Sequence, residues 1–137
     1  MGERFQPSEV QPLQTKRGEM SKVLQIRQSI AAFIEATNAH NTDEFLATLT
    51  DSAVITDEGQ EYRGIGAIKA WSDEKYVGAK VTLDVVEVVN NNGKTIVTVK
   101  VDGRFDKTGL PDPFVMDLHF VVDGEKITSL SFHLVGE

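Results

Sequence analysis

The chain has 137 residues, is 40% hydrophobic and 26% charged, and carries a formal charge of -7 with no cysteine. That length supports one domain with one core, burying about two thirds of the surface its unfolded form exposes. The acidic balance argues against nucleic acid or an anionic membrane as the partner, since both require a basic footprint. The lack of cysteine removes disulfides, thiolate metal sites and a cysteine nucleophile.

No apolar run approaches the roughly 20 residues of a membrane span, and the first residues lack the apolar core of a signal peptide. Gly2 is followed by Gln6 where myristoylation needs Ser or Thr. A cytoplasmic domain is the expectation.

Residues 1–19 carry two prolines and no periodicity. They read as a flexible N-terminal arm or a lid, ahead of a single domain over 20–137. From Ser21, the apolar positions Val23, Ile26, Ile30, Phe33, Ile34 and Thr37 recur every three or four residues. This predicts a long helix ending near His40. Asn41 followed by Glu44 has the spacing of an N-cap, opening a short helix with Phe45, Leu46 and Leu49 inside.

Ala53–Asp57 is a short strand turned by Glu58-Gly59, and a third helix from Ile65 to Asp73 buries Ile68 and Trp71. Then the period changes. Val81–Val89 and Thr95–Phe105 are β-branched runs joined by Asn92-Gly93, a hairpin signal, with a bulge or bend at Asp102-Gly103. A Gly/Pro-rich loop, Thr108–Pro113, leads to Phe114–Val122, and Asp123-Gly124 turns into Lys126–Val135. The order is helix-helix-strand-helix and then a four-strand antiparallel meander. The fold class is α+β, with helices on one face of a curved sheet.

Several motifs carry no chemistry. Gly64-Ile-Gly66 lacks a third glycine and does not follow a βαβ strand, so it marks a helix start and not a phosphate loop. No Ser-His-Asp order or nucleophile elbow is present. A two-residue loop at Asp123-Gly124 puts His133 opposite Phe114, about 17 Å along the strand from His119, so these two share no metal ion. His40 ends a helix elsewhere. Lys100, Asp102 and Arg104 alternate with apolar neighbours, as on a solvated or dimer-facing sheet surface.

The same register sets Asp117 opposite Leu130, His119 opposite Thr128 and Val115 opposite Phe132, so Asp117 and His119 stand in apolar company with Phe132 and Leu134. A one-residue bulge at the turn sends both to solvent instead. Asp57, at a strand end beside a turn, is either a pocket carboxylate or a backbone cap. Patterning leaves both pairs of alternatives open.

Three segments bear on the choice: Phe33-Ile-Glu-Ala-Thr-Asn-Ala-His-Asn-Thr-Asp-Glu-Phe-Leu, Thr50-Asp-Ser-Ala-Val-Ile-Thr-Asp57, and Tyr62-Arg-Gly-Ile-Gly-Ala-Ile-Lys-Ala-Trp71. With the Val121–Leu134 hairpin they resemble the NTF2-like superfamily, nearest its SnoaL-like polyketide cyclase and ketosteroid isomerase branch, over about residues 22–135.

The resemblance implies an NTF2-like, cystatin-like cone: three N-terminal helices on a curved antiparallel sheet around an apolar pocket. Asp57 then falls at the isomerase general base and Asp117 at its oxyanion-hole aspartic acid. In that enzyme a base of nearly ordinary pKa works beside an aspartic acid kept protonated by apolar surroundings. The family's oxyanion tyrosine falls on Phe33, which donates no hydrogen bond, and Leu49 and Ser72 replace its supporting tyrosines. His119 is the substitute donor or acid.

The implied catalytic set is Asp57, Asp117 and His119. The implied lining is Phe33, Thr37, Tyr62, Trp71, Leu130, Phe132 and Leu134. The expected activity is isomerisation or cyclisation of a small apolar carbonyl compound by acid-base chemistry, without cofactor or metal. The alternative is a ligand-binding or dimerisation module of the same fold. The expected partners are a small apolar molecule and a second copy of the chain.

Overall fold

The protein is described by a computed structural model covering residues 27–91 and 93–135. The arm 1–19, the start of the first helix and Asn92 lie outside the described residues. Helix α1, Gln28–Asn38, buries Ile30, Phe33, Ile34 and Thr37 on one stripe. His40 ends it by taking a positive φ of 55°, which lets the Asn41 N–H reach back to the Ala36 carbonyl at 2.9 Å.

Asn41 caps α2, Thr42–Ala47: its side-chain oxygen accepts from the Glu44 N–H at 3.1 Å, while Asp43 and Glu44 complement the helix dipole. Strand β1, Leu49–Asp57, begins earlier than expected and takes Leu49 out of the helix. A short strand that sequence periodicity missed, β2 (Gln60–Arg63), folds back on it, pairing Asp57 with Gln60 and Ile55 with Tyr62. Four residues are too few to show an alternation.

Helix α3, Gly64–Lys75, buries Ile68, Trp71 and Ser72. It is closed by a tight turn in which Tyr76 N–H and Gly78 N–H both donate to the Ser72 carbonyl, at 3.0 and 2.9 Å. A Cβ on Gly78 would sit 1.7 Å from the Asp73 carbonyl oxygen, so only glycine closes this turn without moving backbone. Gly78→Ala is expected to cost about 2 kcal/mol by forcing that shift. A chemical denaturation curve within 0.5 kcal/mol of the parent would refute this reading of the turn.

The remaining strands are β3 (Thr82–Asn91), β4 (Lys94–Asp102), β5 (Val115–Asp123) and β6 (Lys126–Leu134). They assemble with the first two in the order β2-β1-β6-β5-β4-β3. The meander is antiparallel as expected, but β1 runs parallel to β6, so the six-stranded sheet is mixed. Strand β4 stops at Asp102 and does not continue to Phe105. Arg104 N–H instead donates to the Ala79 carbonyl, pulling the chain over the end of α3.

Among the described residues three helices pack on one face of the sheet, giving α+β architecture as the residue patterns imply. Asn38 ties α1 to β3 by exchanging two bonds with the Leu83 backbone, at 3.0 and 2.7 Å. In the core Phe33 sits edge-to-face with Phe45 and Phe120, at 5.1 and 5.3 Å between ring centroids.

The hairpin β5–β6 departs most from expectation. Asp123 pairs with Lys126, so the two loop residues are Gly124 and Glu125. A shift between Val121 and Val122 then places one extra residue, Thr128, in β6, and its hydroxyl bonds the Val121 carbonyl at 3.1 Å. One extra residue exchanges the faces of everything beyond it. Asp117 therefore lies opposite His133, not Leu130, and Leu118 takes the inward place opposite Phe132.

Candidate functional site

A cavity of about 770 Å³ opens between the β1–β2 turn, the end of α3 with its closing turn, and the loop after β4. Its walls include the rings of Trp71, Tyr76, Phe105, Phe114 and Phe132, with Met116 and Leu134 between strands. Asp57 stands on this wall because inward positions of β1 alternate: Ala53 and Ile55 are fully buried, and Asp57 is the next inward residue toward the open end.

The Trp71 indole N–H donates to Asp57 Oδ2 at 3.2 Å. Among the described residues Oδ1 accepts no hydrogen bond. Burial, the largest influence, pushes the Asp57 carboxyl above its ordinary value; the Trp71 bond opposes it, Glu58 adds to it, and Lys75 weakly opposes it. Trp71 is held in turn by Tyr76, stacked at 4.9 Å and 20°, and by Tyr62, packed from β2 at 5.8 Å. The Tyr76 hydroxyl is committed to the core: it bonds Thr37 Oγ1 at 2.9 Å, and Thr37 Oγ1 donates to the Phe33 carbonyl at 2.9 Å. Burial raises the Tyr76 pKa well above that of a free tyrosine.

The residues expected at the site divide. Asp57, Trp71, Phe132 and Leu134 line the cavity. Phe33, Thr37 and Leu130 are fully buried core side chains outside the lining, and Tyr62 backs Trp71 without lining the cavity. Asp117 and His119 are corrected outright. They lie on the sheet face opposite the cavity because the extra residue Thr128 reverses the pleat.

There Asp117 accepts a hydrogen bond from Thr98 Oγ1 at 2.5 Å, and His119 packs against His133, the rings tilted at 55° with centroids 4.3 Å apart. The expected separation of the two histidines is corrected with it. Partial burial, the neighbouring His133 and Lys94 hold the His119 pKa down, against a small opposing pull from Asp117. Among the described residues no group of three or more His, Asp or Glu is placed to hold a metal ion.

Sequence reading missed Tyr76, Phe105, Phe114 and Arg104. Tyr76 continues the Ile68–Trp71 stripe by one more turn, and that extension was the available signal. Phe105 and Phe114 flank a Gly/Pro-rich loop and meet edge-to-face at 6.0 Å. Aromatic residues on both sides of such a loop suggest a flap folded over an apolar surface. Arg104, expected on the outer sheet surface, instead borders the cavity because β4 ends two residues before it.

A family model for the SnoaL-like domain matches residues 30–130. Among solved structures, a Sinorhizobium meliloti protein assigned as a polyketide cyclase is 24% identical, with a TM-score of 0.72, covering 80% of this chain and 97% of that one. A Kribbella flavida protein assigned as a ketosteroid isomerase is 12% identical, with a TM-score of 0.66, over 81% of this chain and 78% of that one. A Catenulispora acidiphila protein of ketosteroid isomerase-like fold, in complex with trimethylamine, is 18% identical with a TM-score of 0.62, over 77% and 84%.

A search of curated proteins returned no match. The matched segment runs from the first turn of α1 into β6 and takes in the cavity lining up to Met116, stopping short of Phe132, His133 and Leu134. Helices, mixed curved sheet and matched segment agree, and the chain belongs to the SnoaL-like domain family, of NTF2-like fold.

Proposed function

We propose that the protein binds a small, largely apolar molecule in this cavity and that Asp57 is its polar anchor. The observation that carries the reading is a half-buried carboxylate, bonded only by Trp71 among the described residues, in a cavity lined by the aromatic residues Trp71, Tyr76, Phe105, Phe114 and Phe132. The trimethylamine held by the Catenulispora acidiphila protein supports the fold's use as a small-molecule container. The arrangement lacks the second aspartic acid and the tyrosine of the isomerase site: Asp117 is on the other sheet face and Phe33 is a core ring. The neutral donor beside Asp57, the Trp71 indole N–H, is engaged by the carboxylate itself, so among the described residues the donor pair that stabilises an enolate in that chemistry is missing.

A second reading, cofactor-free isomerisation or cyclisation of a carbonyl compound, is favoured by the raised Asp57 pKa, which improves a carboxylate as a proton acceptor. In it Asp57 shuttles the proton alone.

An apolar ketone such as 1-tetralone tests the binding reading. Trp71, the single tryptophan, reports occupancy by its emission. Nitrogen-proton correlation spectra are expected to shift at Trp71, Tyr76 and Phe132. Asp117→Asn is expected to leave the affinity within about twofold, because its side chain points away from the cavity. Shifts confined to residues around Asp117 and His119, or a large loss of affinity in that variant, would overturn it.

A further inference from the structure

Asp57 occupies an aromatic corner. The centroids of Trp71, Tyr76 and Phe132 lie 4.9, 5.8 and 5.9 Å apart pairwise, and all three rings line the cavity beside the carboxylate. No described cation lies within ion-pair distance of Asp57. The titratable groups around the cavity are Asp57, Glu58, Glu74 and Asp106 against Lys75 and Arg104, with His133 also in the lining, an acidic excess when that imidazole is neutral. Asp106 is held ionised by two bonds from Thr108, one from the backbone and one from the side chain. The site thus has what a cation needs, a half-buried carboxylate beside aromatic rings, and what an anion avoids.

We propose that the ligand carries a compact organic cation, a protonated amine or quaternary ammonium group, seated between the Asp57 carboxylate and the rings of Trp71, Tyr76 and Phe132. This rests on the cavity being the ligand site and names the chemistry of its anchor. An incoming cation supplies the counter-charge that burial withholds from Asp57, and the apolar remainder of the ligand lies against Phe105, Phe114 and Met116. Lys75 lines the same cavity but forms no ion pair with Asp57 among the described residues. Binding is then coupled to Asp57 ionisation: at low pH the carboxyl is protonated and attracts no cation, and Glu58 holds the proton more firmly on it.

Three probes of one shape separate charge from size: choline, 3,3-dimethylbutan-1-ol and 3,3-dimethylbutanoate. At pH 7.5, titrations followed by Trp71 emission and by its indole N–H resonance are expected to rank choline about tenfold tighter than the alcohol. The carboxylate is expected to be weakest. Lowering the pH through the raised Asp57 value is expected to bring choline down to the affinity of the alcohol, without any substitution. Asp57→Asn is expected to do the same at pH 7.5, with circular dichroism confirming its fold.

Equal binding of choline and the alcohol at pH 7.5 overturns the cation assignment and leaves the binding site standing. Failure of all three probes and of 1-tetralone to perturb Trp71 overturns both. A choline preference that persists in Asp57→Asn also refutes the assignment, since another group would then be selecting the charge.

Discussion

Asp57→Asn is expected to make the protein more stable at pH 7 while removing the function of its cavity. The carboxyl is half-buried, and burial outweighs the Trp71 bond, so its folded-state pKa lies above the ordinary aspartate value. The sign follows by linkage. Below the unfolded value both states hold the proton and the charge costs nothing. As pH rises from there through the raised folded value, the unfolded chain ionises first and stability falls, and above the folded value the full penalty remains.

Asparagine keeps the shape and still accepts from the Trp71 indole, but never ionises. Its advantage is therefore absent below the unfolded value and grows as pH rises through the raised folded one. Because a good part of Asp57 remains open to solvent, screening reduces the gain. A rise in Tm of about 1–3 °C is expected for a chain of this size. Thermal melts from pH 3 to 8 measure it, and a variant less stable than the parent at pH 7 would show that the charge is better paired than the geometry indicates.

The same substitution decides between the two functional readings. Hydrogen-deuterium exchange at the α-carbon of 1-tetralone, followed by proton NMR, measures proton transfer directly. If Asp57 is a base, exchange catalysed by the parent falls by about 10² or more in the variant. If it is only an anchor, the parent gives no acceleration to lose. Stability gained where function is lost is the usual mark of a group kept for chemistry or recognition.

Phe33→Ala is expected to cost about 3–5 kcal/mol of stability. The ring is fully buried and meets Phe45 and Phe120 edge-to-face and Tyr76 at 6.1 Å, so removing it opens a void between α1 and the sheet. Its backbone carbonyl also anchors the Thr37–Tyr76 hydroxyl chain that positions the ring stacked on Trp71. Guanidinium unfolding measures the loss. A cost under about 1 kcal/mol would mean that position 33 borders open space, as the resemblance to an active-site tyrosine implies, and not the core.

Much of the fold is legible along the chain because its signals are local. The α1 stripe, the Asn41 cap, the turn at Glu58-Gly59 and the β-branched strands each depend on residues within a few positions. Strand β2 was invisible because four exposed and half-exposed residues become a strand only when β1 is present to pair with them. The parallel contact of β1 with β6 joins segments about seventy residues apart, and nothing in either records it.

The site divides in the same way. Asp57 and Trp71 were identified because the segments resembling the family run continuously through both. Asp117 and His119 were misplaced because their facing depends on counting residues around a hairpin, where one bulge reverses the count.

By itself, the sequence determined the class of the molecule: an acidic, cysteine-free α+β domain with a carboxylate at the end of its first strand. Short-range periodicity and capping decide that much, and they survive errors of a residue or two. Only the tertiary structure decided which carboxylates share a space. A pleat has period two, so the single residue Thr128 turns Asp117 away from the cavity that Asp57 lines. The positions of Tyr76, Phe105 and Phe114 follow from chain reversals that bring distant aromatic rings onto one wall. Side-chain facing is set by pairing between strands, and pairing is not written in either strand alone.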